Sequence, residues 1–253
     1  MTLIVGFVGK DGSIMASDSE ASESGHSRFD IEKIWQEQDL LFGYSGNTSI
    51  KQAIAQTIKT TIIPQLQQIQ GQADRWQTRG LLANALKPVL ATAYQGYVGQ
   101  NLNQLNGALL VLGHDKDGDW LLEIDQNNTP TFYNERGFQA IGSGSPSAYV
   151  ARALMEKYQL DGKTVTILKV VTYRILDTSI KSIGGQYGVG GNIHIWSSSK
   201  DGKFKKISSK EMESIKNTVD QWTTVERESF EALFDNKKPV EDEKVGLPQP
   251  LKT

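Results

Sequence analysis

Residue 2 is a threonine behind the initiator Met1, and an initiator Met before a small residue is the kind that aminopeptidases remove. The new terminus would carry a hydroxyl and a free α-amino group on one residue. An α-amine titrates at about 7.7 to 8, so a fraction is neutral near neutral pH and can take the hydroxyl's proton, directly or through water. Nucleophile and general base then share Thr2, which suits attack on an acyl carbon. Most chains that begin Met-Thr put that threonine to no such use, so position 2 carries weight only through the residues that accompany it. Rival chemistries find less support. The 253 residues include no cysteine, which excludes thiolate nucleophiles, disulfides and Cys-based zinc sites. His26, His114 and His194 are scattered without metal-ligand spacing. The run Asp115-Lys116-Asp117-Gly118-Asp119 departs from a calcium loop because its Gly falls too early and Gln126 stands where Glu is required, so it reads as a hairpin turn. Neither G-x-G-x-x-G nor a Gly-Lys-Ser/Thr phosphate loop occurs. The expectation is no metal and no cofactor, with any ATP use left to a partner.

Hydrophobic residues make up 38% and charged residues 22% of the chain, the balance of an ordinary globular protein. With 27 Lys plus Arg against 29 Asp plus Glu there is no basic excess to hold nucleic acid. The N-terminal apolar run lacks the basic flank and cleavage site of a signal peptide, and no window approaches the roughly 18 apolar residues of a membrane helix. The expectation is a soluble, cytoplasmic protein without nucleic-acid or membrane partners.

The elements that must position Thr2 follow from periodicity. Residues 3–8 and 13–17 are apolar runs joined by a turn containing Asp11-Gly12, a β-hairpin signal. Residues 19–30 read as a polar stretch, and 31–36 with 40–45 as a second hairpin around Glu37-Gln38-Asp39. Ile50, Ile54, Ile58, Ile62 and Ile63 recur at helical spacing, with Thr48 or Ser49 as the cap, and predict a helix to about Gln70. A second helix spans about 81–93 with Pro88 as a possible kink. Strand signals return over 108–112, 120–124, 131–133 and 138–141, helices over 147–158 and 165–180, then a Gly-rich loop over 184–191 and a last hairpin of 193–196 with 204–207. Clustered strands with clustered helices between them predict an α+β fold, a four-layer αββα sandwich of two mainly antiparallel sheets, over residues 1–208. Residues 209–253 read as an extension: a helix over about 210–234 with Met212, Ile215, Val219, Trp222, Val225, Phe230 and Leu233 toward one side, then a frayed tail with three of the seven prolines.

The segment from Thr2 through Asp18 and Ser19 resembles, almost residue for residue, the start of a mature proteasome β subunit. Lys33 falls at that family's catalytic Lys, allowing one deletion; Gly43-Tyr44-Ser45-Gly46 matches its substrate-facing turn. Ile141-Gly142-Ser143-Gly144-Ser145, followed by a helix with Pro146 and Ala151-Arg152-Ala153-Leu154, is especially similar to the peptidase subunit of the bacterial two-component protease. The resemblance implies an N-terminal nucleophile hydrolase, with Thr2, Asp18, Lys33, Gly46 and Ser143 catalytic. An ammonium at Lys33 would favour the ionised Thr2 hydroxyl, Asp18 would hold Lys33 charged, the Gly46 N–H would face the developing oxyanion, and Ser143 would bond the Thr amine. By the same resemblance Ser22 and Ser45 would clamp an extended peptide, and Ala21, Ile31, Trp35 and Tyr44 would line a shallow apolar pocket for the residue before the cleaved bond. It also implies a homo-oligomeric ring or barrel acting on peptide or unfolded protein, with a separate unfolding ATPase as a possible partner.

The family places an Asp and a Ser near the last Gly-Gly, where this chain has Gln186 and Val189. Gln186 carries no charge and Val189 no polar atom, so the surroundings of the amine differ from the proteasome pattern. Two readings stand beside the threonine endopeptidase: a ligase or transpeptidase using the same nucleophile, and an inactive assembly or binding subunit.

Overall fold

Four antiparallel pairings organise the first sheet: Ile4–Val8 (β1) lies between Ser13–Asp18 (β2) and Phe138–Ile141 (β10), and β2 pairs on its other edge with Ile193–Ser198 (β11), itself joined to Phe204–Lys206 (β12). The second sheet is a meander of Ile34–Glu37 (β5), Leu40–Ser45 (β6), Ala108–Asp115 (β7), Gly118–Ile124 (β8) and Pro130–Phe132 (β9). Glu20–Glu23 (β3) and Ser27–Asp30 (β4) form a separate two-stranded ribbon. This is a computed structural model, and it describes residues 2–23, 27–69, 75–95, 107–133, 137–160, 162–187, 189–198 and 201–234.

Side chains alternate across a strand, and here the alternation sorts residues into two cores. On β7, Leu110 and Leu112 join Ile4, Met15, Ile34 and Leu41 between the sheets. Leu109 and Val111 point the other way, with Phe42, Tyr44, Trp120 and Leu122, onto a helical layer. That layer is Thr48–Thr57 (α1), a π-helical turn Ile58–Ile62, Ile63–Ile69 (α2) and Arg75–Gln95 (α3). Ser145–Met155 (α4) and Val165–Tyr187 (α5) cover the opposite face of the first sheet. The result is the αββα order expected from the sequence, with both sheets antiparallel.

Several local features depart from expectation. Asn47, rather than Thr48 or Ser49, caps α1: its side-chain oxygen accepts the Ser49 N–H at 2.8 Å. The isoleucine seam continues through the π turn, which ends at Ile62, two residues ahead of Pro64, a residue with no N–H to donate to a preceding carbonyl. α3 starts at Arg75 and carries Pro88 inside it. The polar stretch 19–30 contains the β3–β4 ribbon, because Ser19, Glu20 and Ala21 are buried rather than solvated. α5 runs on to Tyr187 through Gly184 and Gly185, so the expected loop is shorter; a cost of about 1 kcal/mol per Gly does not stop a helix already packed along its length.

The chain divides into two units, Met1–Ile207 and Ser208–Thr253. In the second, Ser209–Phe234 (α6) buries Ile215 and Val219, while Val225, Phe230, Leu233 and Phe234 are exposed. The expected frayed tail, 235–253, lies outside the described residues. No described helix is long and apolar enough to cross a membrane. The inter-sheet core makes Leu110→Ala the sharpest test of this packing: unfolding free energy should fall by about 2 to 5 kcal/mol in urea titrations. A loss below about 1 kcal/mol would contradict close packing between the sheets.

Candidate active site

Thr2 stands just ahead of β1, and the backbone fixes it from two sides. Its N–H donates to Ser143 Oγ at 3.3 Å, and its carbonyl accepts the Gly144 N–H at 3.2 Å. Gly142 makes this approach possible: its φ is +97°, and a Cβ there would fall on the Thr2 carbonyl oxygen. Only 7% of Thr2 is exposed. Among the described residues its hydroxyl makes no hydrogen bond.

One residue on, the Leu3 N–H donates to Asp18 Oδ1 at 2.8 Å, and the Asp18 N–H returns a bond to the Leu3 carbonyl at 3.2 Å. Asp18 ends β2, fully buried. The same Oδ1 receives Lys33 Nζ at 2.7 Å, and Oδ2 accepts the Gly190 N–H at 3.0 Å. One carboxylate therefore gathers the start of β1, the residue ahead of β5 and the loop after α5. Lys33 is 1% exposed. Burial pulls its ammonium below the ordinary lysine value, while the carboxylates of Asp18 and Glu20 oppose that fall.

Gly46 follows the end of β6 with φ +147°, and a Cβ there would collide with the Tyr44 ring and hydroxyl. A cavity of about 630 Å³ runs from Thr2, Gly46 and Ser143 past Ala108 to Glu123 and Asp125, with Ser45 also in its wall. The structure thus brings together Thr2, Ser45, Gly46 and Ser143, and places the Asp18–Lys33 pair directly behind Leu3.

The residues expected to line the apolar pocket lie elsewhere than in this cavity's wall. Ala21 is buried on β3 and Ile31 is half-buried ahead of β5. Trp35 stacks on Phe42 with ring centroids 5.6 Å apart, under Lys51 Nζ at 5.3 Å. Tyr44 is 3% exposed in the core between the second sheet and its helices. Ser22 sits in β3, and the side chains of Ser22 and Gln186 lie outside the described residues. Val189 is buried, and its Cγ2 would lie 3.0 Å from a Cβ at Gly144. Sequence reasoning did not single out Glu123 and Asp125. The one signal available was the Asp125-Gln126-Asn127-Asn128 turn that closes β8.

Two antiparallel sheets between helix layers, with a threonine ahead of the first strand, define the fold class of the N-terminal nucleophile hydrolases. The family model for the proteasome subunit matches residues 2–185. The chain belongs to the proteasome subunit family. A solved structure of Anbu, a Gly-1 mutant from Hyphomicrobium sp. strain MC1, superposes with a TM-score of 0.69 at 15% identity, covering 91% of this chain and 97% of that one. None of the curated proteins matches.

The buried pair predicts two outcomes. Asp18→Asn strands the Lys33 charge and should cost about 3 to 5 kcal/mol of stability, with Asp18→Asn/Lys33→Met recovering part of it in denaturant titrations. Because burial lowers the folded-state value of Lys33 below 10.5, the unfolded chain holds the extra proton between the two. This contribution to stability is absent below the folded value, grows as pH rises and is complete above 10.5. The difference in unfolding free energy between wild type and Lys33→Met should therefore rise across the alkaline range; a flat difference would refute the shift.

Proposed function

We propose that the chain is a threonine-type peptidase subunit in which Thr2, freed by removal of Met1, attacks peptide carbonyls. Thr2 Oγ bonds to the carbonyl carbon as the Thr2 amine takes the hydroxyl proton. The tetrahedral oxyanion faces the Gly46 turn, and collapse expels the amine product, which receives the proton, leaving an ester on Thr2. Water then attacks the ester with the same amine as base, releasing the acid product and restoring Thr2. Lys33 supplies the fixed positive charge behind Thr2, Asp18 orients it, and Ser143 positions the amine. The observation that carries this reading is the buried Lys33–Asp18 pair at 2.7 Å, tied through the Leu3 N–H to the residue beside Thr2.

We further read the chain as one subunit of a homo-oligomeric ring, a reading that rests on membership of the proteasome subunit family. Analytical ultracentrifugation should give a closed oligomer, and a monomer at micromolar concentration would exclude a ring. The chemistry has its own test. Intact mass should show Met1 absent, and a peptide epoxyketone should modify Thr2. Thr2→Ala should abolish labelling and lower peptide hydrolysis at least about a thousandfold. Retention of Met1, or labelling that persists in Thr2→Ala, would sink the assignment.

A further inference from the structure

Resting on the peptidase reading, we propose that the cavity beside Thr2 is a subsite for a cationic group of the bound peptide. Two carboxylates, Glu123 and Asp125, line it, and among the described residues of its wall there is no Lys, Arg or His. Neither carboxylate takes part in an ion pair among the described residues.

Both are held in place by neutral donors, which orient charge without cancelling it. Glu123 Oε2 accepts the Tyr133 hydroxyl at 2.7 Å and the Gln139 amide Nε2. The Gln139 amide has one sensible orientation, because its Oε1 accepts the Tyr149 hydroxyl at 2.5 Å and its NH₂ is left for Glu123. Asp125 Oδ1 accepts the Asn127 and Thr129 N–H groups, each at 2.8 Å.

Two further residues of the same wall supply a second observation. Thr2 is 7% and Ser45 5% exposed, yet neither hydroxyl has a hydrogen-bond partner among the described residues. These hydroxyls are not among the buried unpartnered atoms and so reach the cavity, where a ligand that brings its own polar atoms can pair with them. A guanidinium or ammonium offers several donors at once and a charge opposite to the two carboxylates, and a confined site strengthens that attraction relative to open water. A metal ion fits less well: no group of three or more His, Asp or Glu among the described residues is placed to hold one.

The test measures binding, so it does not depend on turnover. Thr2→Ala protein is titrated with a labelled, N-acetylated peptide carrying one Arg, and with the same peptide carrying citrulline, which keeps the shape and removes the charge. The Arg peptide should bind about tenfold tighter or more, and the preference should shrink as salt rises from about 0.05 to about 0.5 M. The Arg-to-citrulline ratio should fall to about one in Glu123→Gln/Asp125→Asn, with circular dichroism monitoring the fold. If that variant does not fold, Asp125→Asn alone, whose amide oxygen can still accept the turn's N–H groups, should lower the ratio. A citrulline peptide that binds tighter when its N-terminus is free also supports the subsite and assigns the cation to the α-ammonium. Equal binding of all peptides, no binding at all, or a preference that survives the carboxylate substitutions overturns the proposal. Failure of epoxyketone labelling removes the peptidase reading without touching this result; equal binding removes the subsite and leaves the peptidase reading intact.

Discussion

A lysine ammonium that is 1% exposed is tolerable only beside a fixed counter-charge, and the geometry around Thr2 follows from meeting that demand. Asp18 is that counter-charge. Desolvation works against the Lys33 charge while the Asp18 carboxylate works for it, so the pair is a compromise and adds little net stability by itself. Its value is geometric. To keep both oxygens occupied, the carboxylate accepts from Lys33, Leu3 and Gly190, which are distant in sequence. Any displacement of one contributor leaves a buried charge short of a partner. The segments that frame Thr2 are thereby held to one arrangement by electrostatics rather than by shape alone.

The sandwich brings those segments to a common edge. The β1 pairings set Ile4 against Ser17 on one side and Ile141 on the other, so Leu3, Asp18 and Gly142 emerge at the same end of the first sheet. In the second sheet Ser45 pairs with Ala108, and Leu109 with Ile124, so Gly46, Gly107 and Asp125 lie at corresponding strand ends. Strands β1, β2, β6 and β7 are buried on both faces over most of their length, which makes a slip of one residue costly because it would exchange the residues of the two faces. Register fixed by hydrophobic sorting is what allows loop residues from both sheets to share one cavity.

Much of this was legible in the sequence because it depends on periodicity. The alternation in residues 108–112, the Asp11-Gly12 turn and the isoleucines at 50, 54, 58 and 62 each prescribe an element without outside help. What was not legible depends on tertiary partners. Ser19 and Glu20 belong to a stretch that reads as polar, and they are buried, with both N–H groups donating to the Gly190 carbonyl. Gly184 and Gly185 read as a break, and packing of α5 on the first sheet carries the helix through them. For the site, Thr2, Asp18, Lys33, Gly46 and Ser143 could be named because the motifs around them resemble the proteasome family, whereas Glu123 and Asp125 belong to no motif and become visible only when the cavity is. Trp35 and Tyr44 show the converse, since their apolar character fits a substrate pocket as well as a core and the sequence does not decide between the two.

The departure at Val189 is informative because of what the neighbouring backbone does. A side chain there cannot donate or accept, yet the next residue's N–H reaches Asp18 Oδ2 and its carbonyl receives Ser19 and Glu20. The link from this loop to the Asp18–Lys33 pair runs through main-chain atoms and tolerates an apolar side chain at 189. Val189 instead packs beside Gly144, whose N–H holds the Thr2 carbonyl, so van der Waals contact supports the 142–144 turn where a hydrogen bond would otherwise have to. Positioning of the Thr2 backbone is therefore separable from the polarity of the Val189 side chain, and among the described residues the Thr2 N–H has Ser143 Oγ as its partner.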